Sequence, residues 1–423
     1  MIDINQLRSN PGLFRASEKK RGKPVTIVDS ILKVDEQWRK KLKVVEQLKQ
    51  QRNIVSQEIN LAKKNNNEKA AKAKIKEMQS VACQIKSEES TAENFLLERN
   101  EQLKHLGNLL HPAVPAGKDA SENVELKTWG KKPKFNFPIK THVELAEQLG
   151  LADFNAAAKA SGNGFYYLKG PLGLLNQALI ALAFNHMQKK GYLYVEPPLM
   201  IRKDILNAAI DAAEWDKTIY SIEGENLALI GTSEHALLGM HAGECFTEKQ
   251  LPKKYFSYSM CFRKEVGAHG INEKGLWRTH QFNKVEQFIF CRPEDSEKMF
   301  TELLQNSEAL LKALKLPYRV LEICSGDLSN WKQRSFDLEV WRPTTNGYGE
   351  VMSLSNCTDY QARKLGIKIV RDGKREVLHT LNNTALATSR IMVAILENYQ
   401  TKKGTVKVPA ALRPYLKGLP EIS

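Results

Sequence analysis

The sequence predicts an α+β protein in which a long antiparallel α-helical coiled-coil hairpin precedes a body built on an antiparallel sheet. Three observations carry this. Residues 29–106 lack glycine and proline and repeat apolar side chains three and four apart. Beyond them, short β runs adjoin one another with helices grouped around them, the pattern of a segregated rather than doubly wound body. Neither G-x-x-x-x-G-K-[ST] nor a strand-linked G-x-G-x-x-G occurs, so a nucleotide would not be held by either of those loops.

The hairpin comes first. Ile31, Val34, Trp38, Val45, Leu48, Val55, Ile59 and Ala62 form one apolar seam, broken at Lys41 and Arg52. After the polar run 63–68 a second seam follows through Ala71, Ile75, Met78, Ala82, Ile85, Ala92, Leu96, Leu103 and Leu106, broken at Glu89 and Arg99. This is a heptad pattern in two halves. The connection is too short for a parallel return, so the halves fold back on each other. At ~1.5 Å per residue, about 35 residues per helix reach roughly 50 Å. Around the turn, Lys63, Lys64, Lys69, Lys72, Lys74 and Lys76 face a single acid, Glu68. A solvated helix surface accounts for such a run, and so does a grip on an RNA backbone.

Residues 107–140, with Pro112, Pro115, Pro133 and Pro138, read as a linker. In the body, helices are expected near 174–190, 234–244, 294–314 and 384–398. Strands are expected near 226–231, 256–264, 277–291, 318–324, 335–341 and 348–354.

Sixty-three Lys and Arg against 48 Asp and Glu leave a net charge of +15, which favours a polyanionic partner. The six cysteines form no C-x-x-C pair, so neither a disulfide framework nor a structural zinc site is expected. The opening MIDINQLRSN has no apolar signal core, and no apolar run approaches membrane-spanning length. The expectation is a soluble, cytoplasmic protein with no membrane partner.

The segment FRKEVGAHGINEKGLWRTHQFNKVE (262–286) concentrates the chemistry. Arg263 and Glu265 are expected to share one face of a strand, because side chains alternate. A loop punctuated by Gly267, Gly270 and Gly275 leads to a second strand bearing Arg278, His280, Phe282, Lys284 and Glu286 on one face. A guanidinium grips phosphate bidentately, an aromatic ring stacks on a base, and a carboxylate accepts from an amine.

This segment resembles motif 2 of the class II aminoacyl-tRNA synthetases, and its ending HQFNKVE is similar to the seryl-tRNA synthetase version. The resemblance covers essentially the whole chain. QALIALAFNHMQKKGYLYVEPP (177–198) resembles motif 1, LIGTSEHAL (229–237) the T-x-E element, GYGEVMSLSNCTDYQARK (347–364) the E-x-x-S segment, and HTLNNTALATSRIMVAILENYQ (379–400) motif 3, read as an apolar helix interrupted by Arg390. Taken alone, motif 1 also reads as a core helix, T-x-E as a helix N-cap, and E-x-x-S as a strand end. The wording GTSEHAL and NNTALATSR is closer to archaeal seryl enzymes. The family often has glycine where this chain has Asn383, and glycine or proline near Ser389.

The resemblance implies residues 1–110 as an N-terminal tRNA-binding domain and 111–423 as a catalytic domain in a cytoplasmic homodimer. It implies a serine–tRNA ligase that makes seryl-adenylate from L-serine and ATP and passes serine to the 3′ end of tRNA(Ser), and to tRNA(Sec) where that tRNA is present. Arg263, Arg390 and Glu350 would be catalytic. ATP would meet Arg263, Lys264, Glu265, Thr279, Phe282, Glu350, Val351, Met352, Ser353 and Arg390. Serine would meet Thr232, Ser233, Glu234, Arg263, Glu286, Asn382 and Thr384. Mg²⁺ would sit with ATP at Glu350 and Ser353, and tRNA would meet Lys63, Lys64, Lys69, Lys72, Lys74 and Lys76. The alternative is a catalytically inactive RNA-binding paralogue of the same fold. Such proteins tend to lose the ATP arginines or substrate carboxylates, which this chain retains.

Overall fold

The structure, a computed structural model, describes residues 1–210, 212–267 and 274–423. Its contacts divide the chain into two units: Ile2–Lys19 with Lys23–Gly107, and Met1 with Lys20–Gly22 and Asn108–Ser423.

The first unit is dominated by helices α1 (Thr26–Lys64) and α2 (Glu68–His105), which pack along their length as a hairpin. The asparagine run between them explains the reversal. Asn66 adopts φ 52°, a left-handed conformation that asparagine tolerates. Asn67 caps α2 by accepting from the Ala70 N–H at 3.1 Å.

The seam of α1 runs through Val28, Ile31, Val34, Val45 and Val55, and that of α2 through Ala71, Val81, Ile85, Ala92 and Leu103. The expected α2 line is therefore one residue off in places: Ile75, Ala82 and Glu89 are exposed, and Lys74, Val81 and Glu88 take the inward positions. Ion pairs fill the polar places, Lys74 to Glu58 at 2.8 Å and Lys41 to Glu88 at 2.7 Å. Their aliphatic stems cover apolar surface that hydropathy alone assigns to isoleucine. Arg99 bonds the fully buried Asp35 at 2.9 Å and lies 4.5 Å from the Trp38 ring centroid. Burial raises the Asp35 pKa, but the hydrogen bonds and charges of Arg8 and Arg99 together outweigh it and hold the carboxyl below its ordinary range.

The second unit contains, in chain order, β1 (Val124–Trp129), α3 (Gly170–Lys189), β2 (Leu193–Tyr194), α4 (Ser233–Gly239), β3 (Lys253–Phe262), β4 (Gln281–Cys291), α5 (Ser296–Ala313), β5 (Tyr318–Glu322), β6 (Arg334–Arg342), β7 (Gly347–Thr358), β8 (His379–Ala387) and α6 (Thr388–Asn398), among shorter elements. The eight strands form one sheet in the order β1-β5-β6-β7-β8-β4-β3-β2. Every pairing is antiparallel except the short parallel contact of β2 with β3. The α+β architecture expected from the sequence is what the chain adopts.

Alternation along β4 shows how the sheet is used. Val285, Ile289 and Cys291 enter a core shared with α3, α5 and α6, whereas Phe288 and Phe290 enter a second core with α4. The even-numbered residues at the strand's start, Phe282, Lys284 and Glu286, line an open cavity. One face of the sheet thus packs under α3, α5 and α6, and the other packs partly against α4 and carries the cleft.

Several expectations need correction. β3 ends at Phe262, so Arg263 and Glu265 lie beyond it, with Glu265 at φ 51°. β4 begins at Gln281, so Arg278 and His280 precede the strand. Residues 379–387 are strand, and the motif 3 helix starts only at Thr388. The helix expected over 234–244 stops at Gly239. The stretch read as a linker supplies β1, an edge strand whose six residues are all exposed and so show no apolar run. Gly270 lies outside the described residues. All six cysteines are free, and among the described residues no helix is long and apolar enough to cross a membrane.

Candidate active site

A cavity of about 540 Å³ opens on the free face of β4, β7 and β8. Two irregularities in the sheet shape it. In β7, Leu338 pairs with Met352 but Glu339 pairs with Glu350, which leaves Val351 as an extra residue. Residues three apart would otherwise face opposite ways. This bulge turns both Glu350 and Ser353 to the cleft, which gives E-x-x-S its physical sense. In β8, Thr384 pairs with Glu286 and Leu386 with Val285, so Ala385 is extra.

One end of the cavity is lined by acids. Glu234 sits in the first turn of α4, with its N–H donating to Thr232 Oγ1 at 3.3 Å. Its Oε1 accepts from Gln361 Nε2 at 2.8 Å and from Asn382 Nδ2 at 2.9 Å. The side-chain carbonyl oxygen of Gln361 accepts from Thr380 Oγ1 at 2.7 Å, which fixes the orientation of its amide. Burial, and then the Glu286 charge, push the Glu234 pKa up to about 7. Across the sheet, Glu286 is 1 % exposed; its Oε2 lies 2.6 Å from Lys284 Nζ and accepts from Thr384 Oγ1 at 3.4 Å.

The other end holds two arginines. Arg263 Nε donates to Gly231 O at 3.1 Å, and its guanidinium lies 5.3 Å from the Phe282 ring centroid. Arg390, in the first turn of α6, donates to Glu350 Oε2 at 3.1 Å, to Glu350 O at 2.8 Å and to Trp277 O at 3.3 Å. Burial opposes ionisation of Glu350, but the charge and hydrogen bond of Arg390, with the charges of Arg263 and Lys332, together offset it and the pKa falls. Asp337, on the neighbouring strand, is raised by burial and then by Glu350. Glu265 accepts from Arg278 Nη1 at 2.5 Å.

The cavity thus brings together Thr232, Glu234, Arg263, Glu265, Thr279, Phe282, Glu286, Glu350, Val351, Ser353, Asn382, Thr384 and Arg390. It leaves out three expected contacts. Ser233 is fully buried, Met352 belongs to the helix-covered core, and the Lys264 N–H donates to Thr218 O at 3.0 Å. His280 packs its ring on Phe165, and its Nδ1 lies 2.9 Å from Arg263 O. In the hairpin, Lys63, Lys64, Lys69, Lys72 and Lys76 are exposed, whereas Lys74 is tied to Glu58 and Glu77.

The sequence reading missed Gln361 and Lys332; Gln361 comes from a short helix beyond β7, with no motif of its own to mark it. Lys332 lines the cavity and lowers the pKa values of Glu234, Asp337 and Glu350 by its charge. His235 was also missed. It is a buried lining residue whose pKa falls to about 3, through burial and then the charges of Arg263 and Lys284. Trp277 was missed as well; its ring lies under the guanidiniums of Arg342 and Arg390, at 4.2 and 5.5 Å.

No group of three or more His, Cys, Asp or Glu side chains among the described residues is arranged as a metal site. Glu350 and Ser353 offer two oxygen donors on the cleft face. That donor chemistry fits a hard divalent cation whose remaining ligands come from phosphate and water.

Residues 1–110 match the family model of the seryl-tRNA synthetase N-terminal domain, and residues 218–399 match that of the tRNA synthetase class II core domain (G, H, P, S and T). A serine–tRNA ligase of Methanocella arvoryzae is 45% identical over 99% of both chains. The chain belongs to the seryl-tRNA synthetases. A Pyrococcus furiosus serine–tRNA ligase is 42% identical over 98% of this chain and 96% of its own length. The crystal structure of the Pyrococcus horikoshii seryl-tRNA synthetase complexed with ATP superposes with a TM-score of 0.95 at 40% identity, covering 100% of this chain and 99% of that one. As a class II synthetase of this family the protein is a ligase, and its motif residues meet in one cleft although they come from four separate segments of sequence.

Proposed function

We propose that the cleft activates L-serine with ATP and transfers it to tRNA(Ser). The observation that carries this is the division of one cavity into an arginine end, with an aromatic face, and a carboxylate end. ATP fits the first: Arg263 grips the α-phosphate, Phe282 stacks on adenine, and Arg390 meets the γ-phosphate. Glu265 lies where it can accept from the adenine amino group. Serine fits the second, with its ammonium between Glu234 and Glu286 and its hydroxyl near Thr384.

The serine carboxylate attacks the α-phosphorus. The bond to the bridging oxygen breaks, and pyrophosphate leaves as seryl-adenylate forms. A terminal ribose hydroxyl of tRNA then attacks the acyl carbon, and AMP leaves. No protein nucleophile takes part; the chain's residues position the reactants and stabilise charge. Glu350 and Ser353 would hold Mg²⁺, which neutralises charge on the phosphates when bound. Arg390 keeps Glu350 ionised and aimed for that role.

The rest of the reading assigns residues 1–110 as the tRNA-binding domain, with the exposed lysines at the hairpin turn as its cationic grip, and 111–423 as the catalytic domain. Pairing of two chains through α3 and the motif 1 segment fits exposed Leu174 on α3 and Leu193 on β2, at 60 and 63 % relative exposure. The cytoplasm is the compartment that supplies ATP and tRNA. Retention of Arg263, Arg390, Glu234, Glu286 and Glu350 in one cavity speaks against an inactive paralogue.

ATP–pyrophosphate exchange against a panel of amino acids tests the reading. Exchange dependent on serine is the expected result. Exchange with another amino acid, or none, would overturn the assignment.

A further inference from the structure

Behind the serine end lies a polar cluster that the chemistry above does not use. Alternation along paired β4 and β8 puts Glu286 and Thr384 on the cleft face and their neighbours Gln287 and Asn383 on the other, beneath α5. Gln287, Asn383 and Ser307 of α5 are all completely buried. Asn383 Nδ2 donates to Ser307 Oγ at 2.7 Å, and Gln287 Nε2 donates to it at 3.1 Å. Ser307 Oγ in turn donates to Thr384 O at 3.1 Å. The hydroxyl therefore accepts twice and donates once, which saturates it. Asn306 orients the Gln287 amide by donating to its Oε1 at 2.9 Å, and Asn383 also holds Leu303 O at 2.8 Å.

The place of this cluster matters. The β8 bulge begins at Thr384, where the extra residue Ala385 interrupts regular pairing with β4. A bulge re-aims side chains, and the backbone groups it frees need partners. Ser307 gives the Thr384 carbonyl that partner while holding the cross-strand pair Gln287–Asn383. One hydroxyl thus pins both strands one residue away from the two groups that face serine.

We infer that Ser307, held by Asn383 and Gln287, is a positioning residue for amino-acid selection: it fixes the separation of Thr384 from Glu286 and so the fit of a hydroxyl-bearing substrate. This rests on the proposed serine site. A hydroxyl is distinguished from a bare methyl only if the group that bonds it is held in register, because a loose partner loses the bond and with it the discrimination. ATP, at the arginine end, should not sense the change.

The test is serine-dependent exchange on the full-length protein and its Ser307→Ala variant. The apparent KM for serine should rise about tenfold, as expected for loss of one well-placed hydrogen bond. The KM for ATP and the maximal rate should stay within about twofold, and preference for serine over alanine should fall by about the same tenfold factor. Asn383→Ala, which leaves Ser307 in place, should shift serine KM in the same direction. The double variant should fall short of the product of the single effects, because both act through one hydroxyl. An unchanged serine KM in both single variants overturns the inference. So does a parallel rise in serine and ATP KM with a lowered thermal midpoint, which would show a structural role alone. If the parent protein shows no serine-dependent exchange, the functional reading fails, and the inference fails with it.

Discussion

At the arginine end of the cleft the cations are committed before any substrate arrives: Arg390 is bonded to Glu350 and to two carbonyl oxygens, and Arg263 to Gly231 O. At the carboxylate end the anions are held differently. Glu286 has Lys284 as a counter-ion, whereas Glu234 receives only two neutral amide donors and is pushed toward protonation. The difference follows from the ligands each end is read to take. A triphosphate brings more negative charge than two arginines can cancel, so cations can be restrained by protein oxygens and still attract it. Serine brings a single ammonium, and a buried carboxylate with no cation bonded to it gains most from meeting it.

The largest effect is therefore expected at the arginine end. Arg263→Ala or Arg390→Ala should lower exchange roughly 10³-fold at saturating serine, the scale of losing a preorganised donor at developing charge. In Arg390→Ala the Glu350 pKa should also rise, since Arg390 contributes most among the cations that hold it down. Exchange rates alongside thermal unfolding separate loss of chemistry from loss of fold. A variant that retains near-parental exchange would remove that arginine from the reaction.

A smaller and more selective effect belongs to the carboxylate end. Glu234→Gln keeps an oxygen for Gln361 and Asn382 but removes the charge, so serine KM should rise on the order of 10²-fold with ATP little affected. The parent protein should mimic this variant in acid. With the folded pKa raised from its ordinary 4.5 to about 7, Glu234 is largely neutral below neutrality. Serine affinity should then climb about tenfold per unit as pH rises toward 7 and level off above it. The stability sign is opposite. Between those two values the unfolded chain releases the proton first, so Glu234 lowers folding stability as pH rises, and bound serine reverses that loss. A serine pH profile that keeps its slope in Glu234→Gln would assign the titration to another group.

How much of this was legible in the sequence depended on whether spacing or long-range geometry set the position. The hairpin was legible because its heptads are local, and its turn because three asparagines can both reverse the chain and cap a helix. The α2 seam slipped because Lys74 and Glu88 point inward as ion pairs, which hydropathy cannot register. The cleft was legible through motif residues even where local structure was misjudged. Arg263 and Glu265 reach the cavity from irregular backbone, and Glu350 and Ser353 through a bulge that a strict two-residue period would exclude. Gln361 and Lys332 escaped notice because only the folded sheet brings them beside Glu234 and Glu350, and His235, though next to Glu234 in sequence, because only the fold shows its burial beside Arg263. The buried Ser307 bond was out of reach for the same reason: it joins residues 76 positions apart.

The hairpin lysines extend the comparison of committed with uncommitted charge, and they should give the smallest effect. Lys69, Lys72 and Lys76 are exposed, whereas Lys74 is held between Glu58 and Glu77. If free cations grip RNA, the triple replacement of Lys69, Lys72 and Lys76 by Gln should leave exchange within about twofold. It should weaken tRNA binding and flatten its salt dependence by about 0.7–0.9 in log–log slope for each phosphate that is no longer neutralised. Lys74→Gln should leave that slope nearly unchanged, because a lysine already paired with two glutamates releases few phosphate counterions. Binding titrations of tRNA at several salt concentrations decide it. Equal slopes for the parent and the triple variant would mean that these lysines only solvate the helix surface. A large slope change in Lys74→Gln would mean that its ion pairs open to meet RNA, and the line between committed and free charge would have to be redrawn in the arm.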